Sequence, residues 1–170
     1  METKITVVKA DSTTFEGDSG GYYVWSNTNT PLLSEFKLGA AKLLLHPLGF
    51  AIPHYADSSK IGFVVEGTCT VGLVTPDNPE EKVVVINKGD AIPDAAWVVS
   101  WWFNGDESDV LLVFLGDTSK AIVPGQFTYF NVAEVLGLLG GFHSKFHYYI
   151  PALLDVWEKA FRHVPQHVYM

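Results

Sequence analysis

Two side chains able to move protons share one stretch of this chain, Gly49 to Gly72, GFAIPHYADSSKIGFVVEGTCTVG. His54 titrates near neutrality, so its imidazole suits general acid or base work. Lys60, if desolvated, would have a lowered pKa and act as a base or a Schiff-base nucleophile. Each also has a plainer reading: His54 as a hydrogen-bonded, inert imidazole, and Lys60 as a lysine that snorkels to solvent with only its stem buried. Cys69 is the sole cysteine. It excludes an internal disulfide, fits a reducing compartment and reads as a small core residue. His143 with His147, and His163 with His167, stand at i, i+4, a spacing that binds metal on a helix. No carboxylate or third ligand accompanies either pair, so both read as solvated faces. There is no Gly-x-Ser-x-Gly elbow, no ordered Ser/His/Asp set and no lysine-containing Walker pattern.

The elements that must position these residues are short strands. Pro53-His54 opens one that continues through Lys60–Val65; Glu66-Gly67 turns the chain and Thr68–Leu73 returns it. Ile5–Val8, Tyr22–Trp25, Gly39–His46, Val83–Ile86, Val98–Phe103 and Val110–Leu115 read as further strands, with Gly17, Gly20 and Gly21 making a turn. Asn27–Pro31 and the acidic, two-proline Thr75–Glu81 read as loops, and Asn87–Asp90 as a tight turn. Alternation puts Ala41, Leu43 and Leu45 on one face and His46 with Lys42 on the other, a surface or interface position. It also separates Ser100 and Trp102 from Trp101 and Phe103. About eight strands at this spacing point to a sandwich or barrel. After Asn131 the pattern becomes helical, most clearly over Pro151–His163, where Leu153, Leu154, Trp157 and Phe161 form an apolar stripe. With 170 residues, 48% of them hydrophobic, the chain can bury a sizeable core. The formal charge of −8, with Arg162 the only arginine, argues against nucleic acid and anionic lipid as partners. No apolar run reaches the roughly 18 residues of a membrane span. The N-terminus lacks a basic region followed by a long apolar one, so the expected location is cytoplasmic.

The stretch Gly49–Gly72 resembles the first signature of the cupin family, and Gly89–Asn104, GDAIPDAAWVVSWWFN, resembles the second. The resemblance implies a mainly β fold: a single cupin jelly-roll barrel over residues 1–130 with a C-terminal helical extension over 131–170. It also implies a metal site whose ligands are largely replaced here. His54 matches the first histidine, Ala56 stands for the second, Lys60 for the glutamate and Ser100 for the last histidine; Ala95 and Trp97 stand where Pro-x-Gly is usual. One imidazole is too few for a metal centre, and Lys60 would repel a cation. No metal and no other cofactor is expected.

Gly116–Lys120, Gly125–Thr128 and Gly141-Phe142, together with Trp101–Asn104 and Tyr22–Trp25, resemble the legumin-type seed storage globulins and the plant glutelin type-A-like cytosolic cupins. Those are two-barrel proteins whose helical extensions pack against the next barrel. A lone barrel with an amphipathic terminal helix and an open sheet edge is therefore expected to form a homodimer or homotrimer. The resemblance places His54, Lys60 and Ser100 around the barrel pocket as candidate catalytic residues, with Trp102, Trp97, Tyr23 and Trp25 as candidate ligand contacts. Ser100 would hydrogen-bond a carbonyl or enolate oxygen. Such a set suits isomerisation, cyclisation or elimination of a small aromatic or apolar metabolite. The alternatives are a binder without turnover and a storage-like protein. Against storage, the chain has one arginine and none of the long Gln/Glu/Arg-rich inserts of storage globulins.

Overall fold

Side chains of opposite burial alternate along most of the extended segments, and the chain accommodates them by stacking two antiparallel sheets. The structure is a computed structural model that describes residues 7–132. Its strands are β1 (Ser12–Gly17), β2 (Gly20–Val24), β3 (Leu38–Leu45), β4 (Phe50–Ala56), β5 (Ser59–Glu66), β6 (Thr68–Thr75), β7 (Asn78–Asn87), β8 (Ala91–Asp94), β9 (Val99–Phe103), β10 (Val110–Asp117) and β11 (Tyr129–Asn131), with one short helix, α1 (Pro31–Phe36). The first sheet has the order β1-β2-β3-β10-β5-β8 and the second β11-β4-β9-β6-β7. From β3 to β6 and from β7 to β11 the chain crosses between sheets, apart from the β6–β7 hairpin. This is the expected mainly β jelly roll. The helices expected beyond residue 132, including Pro151–His163, and the paired histidines lie outside the described residues.

Several boundaries differ from the sequence reading. Val7 and Val8 are exposed and not in a strand; the first strand is the polar edge β1, which pairs with β2. The loop over Thr75–Glu81 shrinks to Pro76-Asp77, because Asn78 already pairs with Thr75. The proline at the start of α1 is the signal that the loop reading passed over. No side chain of α1 is buried and the helix ends at Lys37 in the left-handed region, so no apolar periodicity marks it. The largest change is in the opening stretch. The strand expected from Pro53 through Val65 is two strands, β4 in the second sheet and β5 in the first, with a corner at Asp57-Ser58.

Between the sheets lies one cluster formed by Ala41, Leu43 and Leu45 of β3, Leu112 and Phe114 of β10, Val71 of β6 and Trp102 of β9. Cys69 belongs to it, and burial pushes its thiol up to about 12, as suits an inert core residue. A second cluster lies on the other face of the second sheet: Trp101 and Phe103 with Tyr55, Val74, Val99 and Val132. The alternation expected for β9 is therefore correct, and the strand is buried on both faces. Trp101 fits because its neighbour on β6 is Gly72, where a Cβ would sit 2.0 Å from the indole.

Asn104 ends β9 and is completely buried. Its Nδ2 lies 2.8–3.0 Å from the carbonyls of Leu45, His46 and Ser108, and its Oδ1 accepts from the Asp106 amide. It ties the ends of β3 and β9 to the loop before β10. Asn104→Ala removes the shared donor of these carbonyls, of which His46 keeps the Gly49 amide, and leaves the Asp106 amide without its acceptor. The expected result is a loss of roughly 2–4 kcal/mol in denaturant unfolding, with the far-ultraviolet spectrum of the folded state unchanged.

Candidate functional site

The site is built from both sheets, and two local devices aim its side chains. Cross-strand pairing sets Ala51 opposite Trp102 and His54 opposite Ser100, with a register shift between them. That extra residue lets Ala51 and His54 both face the barrel interior, although plain alternation would send one of them out. The corner after β4 then carries the chain into the first sheet, so Lys60 at the start of β5 points inward from the opposite wall. Asp57 holds this corner. Its carboxylate accepts from the amides of Ile122 and Thr128 and from the Ser58 hydroxyl. Burial opposes its charge, but these bonds prevail and hold its pKa below the usual value.

A cavity of about 500 Å³ lies between the sheets and opens to solvent past Thr14 and Phe15. Leu43, Leu45, Ala51, Trp102 and Phe114 supply apolar wall. His54, Lys60, Tyr22, Tyr129 and Asn131 bring polar atoms to it. Lys60 is buried and its Nζ lies 2.5 Å from Asp94 Oδ2. That contact has the distance of an ion pair but not the angles of a hydrogen bond, and neither Asp94 oxygen has a hydrogen-bond partner among the described residues. The ammonium also stands 5.3 Å from the Tyr129 ring centroid and 5.9 Å from that of Phe114. The Tyr22 and Tyr129 hydroxyls hydrogen-bond to each other. Burial is the main reason both phenols are pushed above their usual value, so both stay protonated.

His54 Nδ1 is 2.8 Å from the Ile52 carbonyl. A carbonyl only accepts, so Nδ1 carries the hydrogen and a neutral ring keeps its lone pair on Nε2. Burial is the largest influence on this imidazole and lowers its pKa; Lys60 lowers it further, while the Ile52 carbonyl and Asp94 act in the opposite sense. The ring packs edge-on against Tyr129 at 5.6 Å.

Of the residues expected around the pocket, His54, Lys60 and Trp102 line it. Ser100 does not; it is buried, and its Oγ accepts from Trp102 Nε1 at 3.2 Å. Tyr23 is also absent from the lining, because alternation turns it outward, where its hydroxyl donates to Glu16 and Lys42 stacks on its ring. Its neighbour Tyr22 faces in. Trp25 donates to the Val8 carbonyl outside the barrel. Trp97 is half exposed and packs on Tyr55. Its φ of +68° is a conformation that favours glycine, and glycine is what the resemblance expects at this position. The backbone shape persists with a different side chain. His46 lies at the surface, 2.9 Å from Asp109.

Asp94 and Tyr129 were not singled out from the sequence. Inward Ile92 two residues earlier signals Asp94 by period-2 alternation; Tyr129 lies on a three-residue strand with no such signal. The residues present do not suit a metal. One imidazole faces the cavity where an ammonium occupies the position of a ligand, and no three His, Cys, Asp or Glu side chains converge among the described residues.

A family model described as cupin matches residues 7–137. The 13S globulin seed storage protein of Fagopyrum tataricum is 25% identical over a match covering 61% of this chain and 26% of that protein. For the 12S seed storage protein CRD of Arabidopsis thaliana the figures are 22%, 68% and 30%. The chain thus spans about a quarter to a third of the length of these relatives. Among solved structures, procruciferin, the 11S globulin from Brassica napus, superposes with a TM-score of 0.65 at 20% identity, covering 74% of this chain and 33% of that one. A vicilin from Solanum melongena, described as showing different anionic ligands in structurally similar pockets, has a TM-score of 0.65 at 20% identity, covering 90% and 38%.

Two outcomes follow from the charges in the cavity. Lys60→Met leaves Asp94 buried without its counter-ion and is expected to cost about 3–5 kcal/mol in denaturant unfolding at neutral pH. His54 has its folded-state pKa below the ordinary 6.5, so the unfolded chain binds its proton first. Its contribution is fully present above pH 6.5 and is lost as pH falls from there through the lowered folded value. His54→Gln should flatten that part of the stability curve, measured as the denaturation midpoint between pH 8 and pH 5.

Proposed function

This chain belongs to the cupin family, and we propose that its barrel is a metal-independent site for a small, flat, uncharged metabolite on which His54 performs acid/base chemistry. The observation that carries this reading is the cavity of about 500 Å³ whose apolar walls end on His54, Lys60 and the Tyr22–Tyr129 pair. That size suits a small organic molecule, as does the combination of apolar walls with few polar groups. Charge argues for a neutral ligand: Asp94 already balances Lys60, and His54 is held toward its neutral form.

The reaction class follows from the donors and acceptors. His54 Nε2 takes a proton from a carbon beside a ligand carbonyl. The developing enolate oxygen accepts a hydrogen bond from Lys60 or from a tyrosine hydroxyl. The imidazolium then returns the proton to another carbon, an isomerisation, or to a departing oxygen, an elimination. Ser100 acts as a positioning residue, holding the Trp102 indole that forms one wall.

A second reading, a storage-globulin-like protein without turnover, is favoured by the names of the relatives. A third arm, binding of an anion, takes its support from the Solanum melongena vicilin. One experiment separates them. The full chain is titrated calorimetrically with 4-hydroxyacetophenone and with benzoate, and methyl hydrogen exchange of the ketone is followed in D₂O by NMR. The expected result is saturable binding of the ketone, lost in the cavity-filling variant Ala51→Leu, with exchange above the buffer rate that falls at least tenfold in His54→Gln. Binding without exchange overturns the catalytic reading and leaves a binder; tighter binding of benzoate overturns the neutral-ligand assignment. No binding of either probe removes the cavity as the functional site.

A further inference from the structure

Among the described residues Lys60 is the one buried lysine. It lines the cavity, while Asp94 stands behind it, outside the lining. The Lys60 Nζ is flanked by the rings of Tyr129 and Phe114, and both rings belong to the cavity wall. An ammonium is not a nucleophile, but an amine is, and the conversion needs a group that takes the proton. Asp94 is placed for that. Its Oδ2 lies 2.5 Å from Nζ, the residue is 2% exposed, and neither carboxylate oxygen has a hydrogen-bond partner among the described residues. A lone pair is therefore open to the proton. The transfer turns two buried ions into two neutral groups and so removes their desolvation penalty.

We propose that Lys60 condenses with a small aldehyde in the cavity to form an imine, with Asp94 carrying the proton; this rests on the cavity reading above and adds a covalent step to it. Lys60 first passes one ammonium proton to Asp94. The amine nitrogen then bonds to the aldehyde carbon, the carbonyl π pair moves to oxygen, and that oxygen takes a proton from the nitrogen. The resulting hydroxyl takes the Asp94 proton and leaves as water, while the nitrogen lone pair closes the C=N bond. Ammonium and aldehyde thus give iminium and water, with no oxidant or reductant. The iminium stands opposite the Asp94 carboxylate where the ammonium stood, so the buried charge is balanced before and after. The two ring faces beside Nζ favour that cation. They also select an aldehyde, which sets a hydrogen where a ketone would set a second carbon against a ring. On an aldehyde with a proton beside its carbonyl, the iminium draws electrons from that C–H bond, and His54 Nε2 on the facing wall takes the proton.

4-Hydroxybenzaldehyde isolates the covalent step, because it has no proton on the carbon beside its carbonyl. The full chain is incubated with it and with sodium cyanoborohydride, which reduces an iminium to a stable secondary amine, and the labelled lysine is found by peptide mass spectrometry. The expected result is one 4-hydroxybenzyl group per chain, on Lys60. It should form at least about tenfold faster there than on any other lysine, because the cavity holds the aldehyde beside the amine. Ala51→Leu, which fills the cavity, should slow the Lys60 label by a similar factor and leave the other lysines unchanged. Lys60→Met alone strips Asp94 of its counter-ion, so Lys60→Met combined with Asp94→Leu, which removes both buried charges, is the variant that should keep the fold and lose the fast label. Calorimetric binding of 4-hydroxyacetophenone without a fast label on Lys60 overturns the imine and leaves the cavity reading standing. Neither binding nor label removes both. A Lys60 label that Ala51→Leu does not slow, or a fast label that persists in the double variant, also overturns the proposal.

Discussion

The Lys60–Asp94 pair is the constraint to which the rest of the barrel conforms. Both groups are taken out of water, and each ion alone would carry a desolvation penalty of several kcal/mol. Together they join β5 to β8 at a directly opposed position of the ladder, so the attraction that offsets the penalty also fixes the register of the edge strand. Gly116 on β10 accommodates the pair; a Cβ there would lie 2.7 Å from Lys60 Cβ. The ion pair also sets the electrostatics of the cavity. Asp94 raises the pKa of His54, Tyr22 and Tyr129, whereas Lys60 acts in the opposite sense on the histidine. Burial then prevails, and the imidazole and the two phenols are held toward their neutral forms.

The corner at Asp57 has a different task. A strand that continued from Pro53 to Val65 would carry His54 and Lys60 on one sheet, separated by the rise of the strand. Breaking it after Ala56 places them on facing walls. The bond pattern around Asp57 makes this break affordable: a buried carboxylate with three donors replaces the ladder bonds that the bend interrupts. Position and chemistry thus arise from separate residues. The corner decides where the imidazole and the ammonium stand, Ile52 decides which imidazole nitrogen carries the hydrogen, and Asp94 supplies the counter-ion of the ammonium.

The fold was legible because its signals are repetitive. Alternating apolar residues in β3, β9 and β10, and the turns at Glu66-Gly67 and Asn87–Asp90, each have a local cause that survives in the sequence. The inward placement of His54, Lys60 and Trp102 was also legible, through the family resemblance. What was not legible depends on a single extra residue or on a distant partner. The register shift in β4 reverses the facing of His54 relative to Ala51, and no residue type announces it. Tyr22 and Tyr23 are chemically alike, and only the pairing with β3 decides which enters the cavity. Ser100 is polar and inward, yet its hydroxyl is occupied by the adjacent indole. Trp97 shows the converse: the backbone of a glycine position outlives the glycine.

The burial of β9 on both faces has an optical consequence. Trp101 and Trp102 are adjacent in the chain but lie in separate compartments, one capped by Glu81 outside the barrel, the other beside Phe114 within it. Their emission therefore reports two environments through one strand. In a background where Trp25, Trp97 and Trp157 are phenylalanine, replacing either indole in turn would isolate the other as an internal probe, with Trp102 reading the contents of the cavity and Trp101 the packing of the outer cluster. A disturbance that reaches both signals at once locates itself in the backbone of β9 or of β6, with which both residues pair.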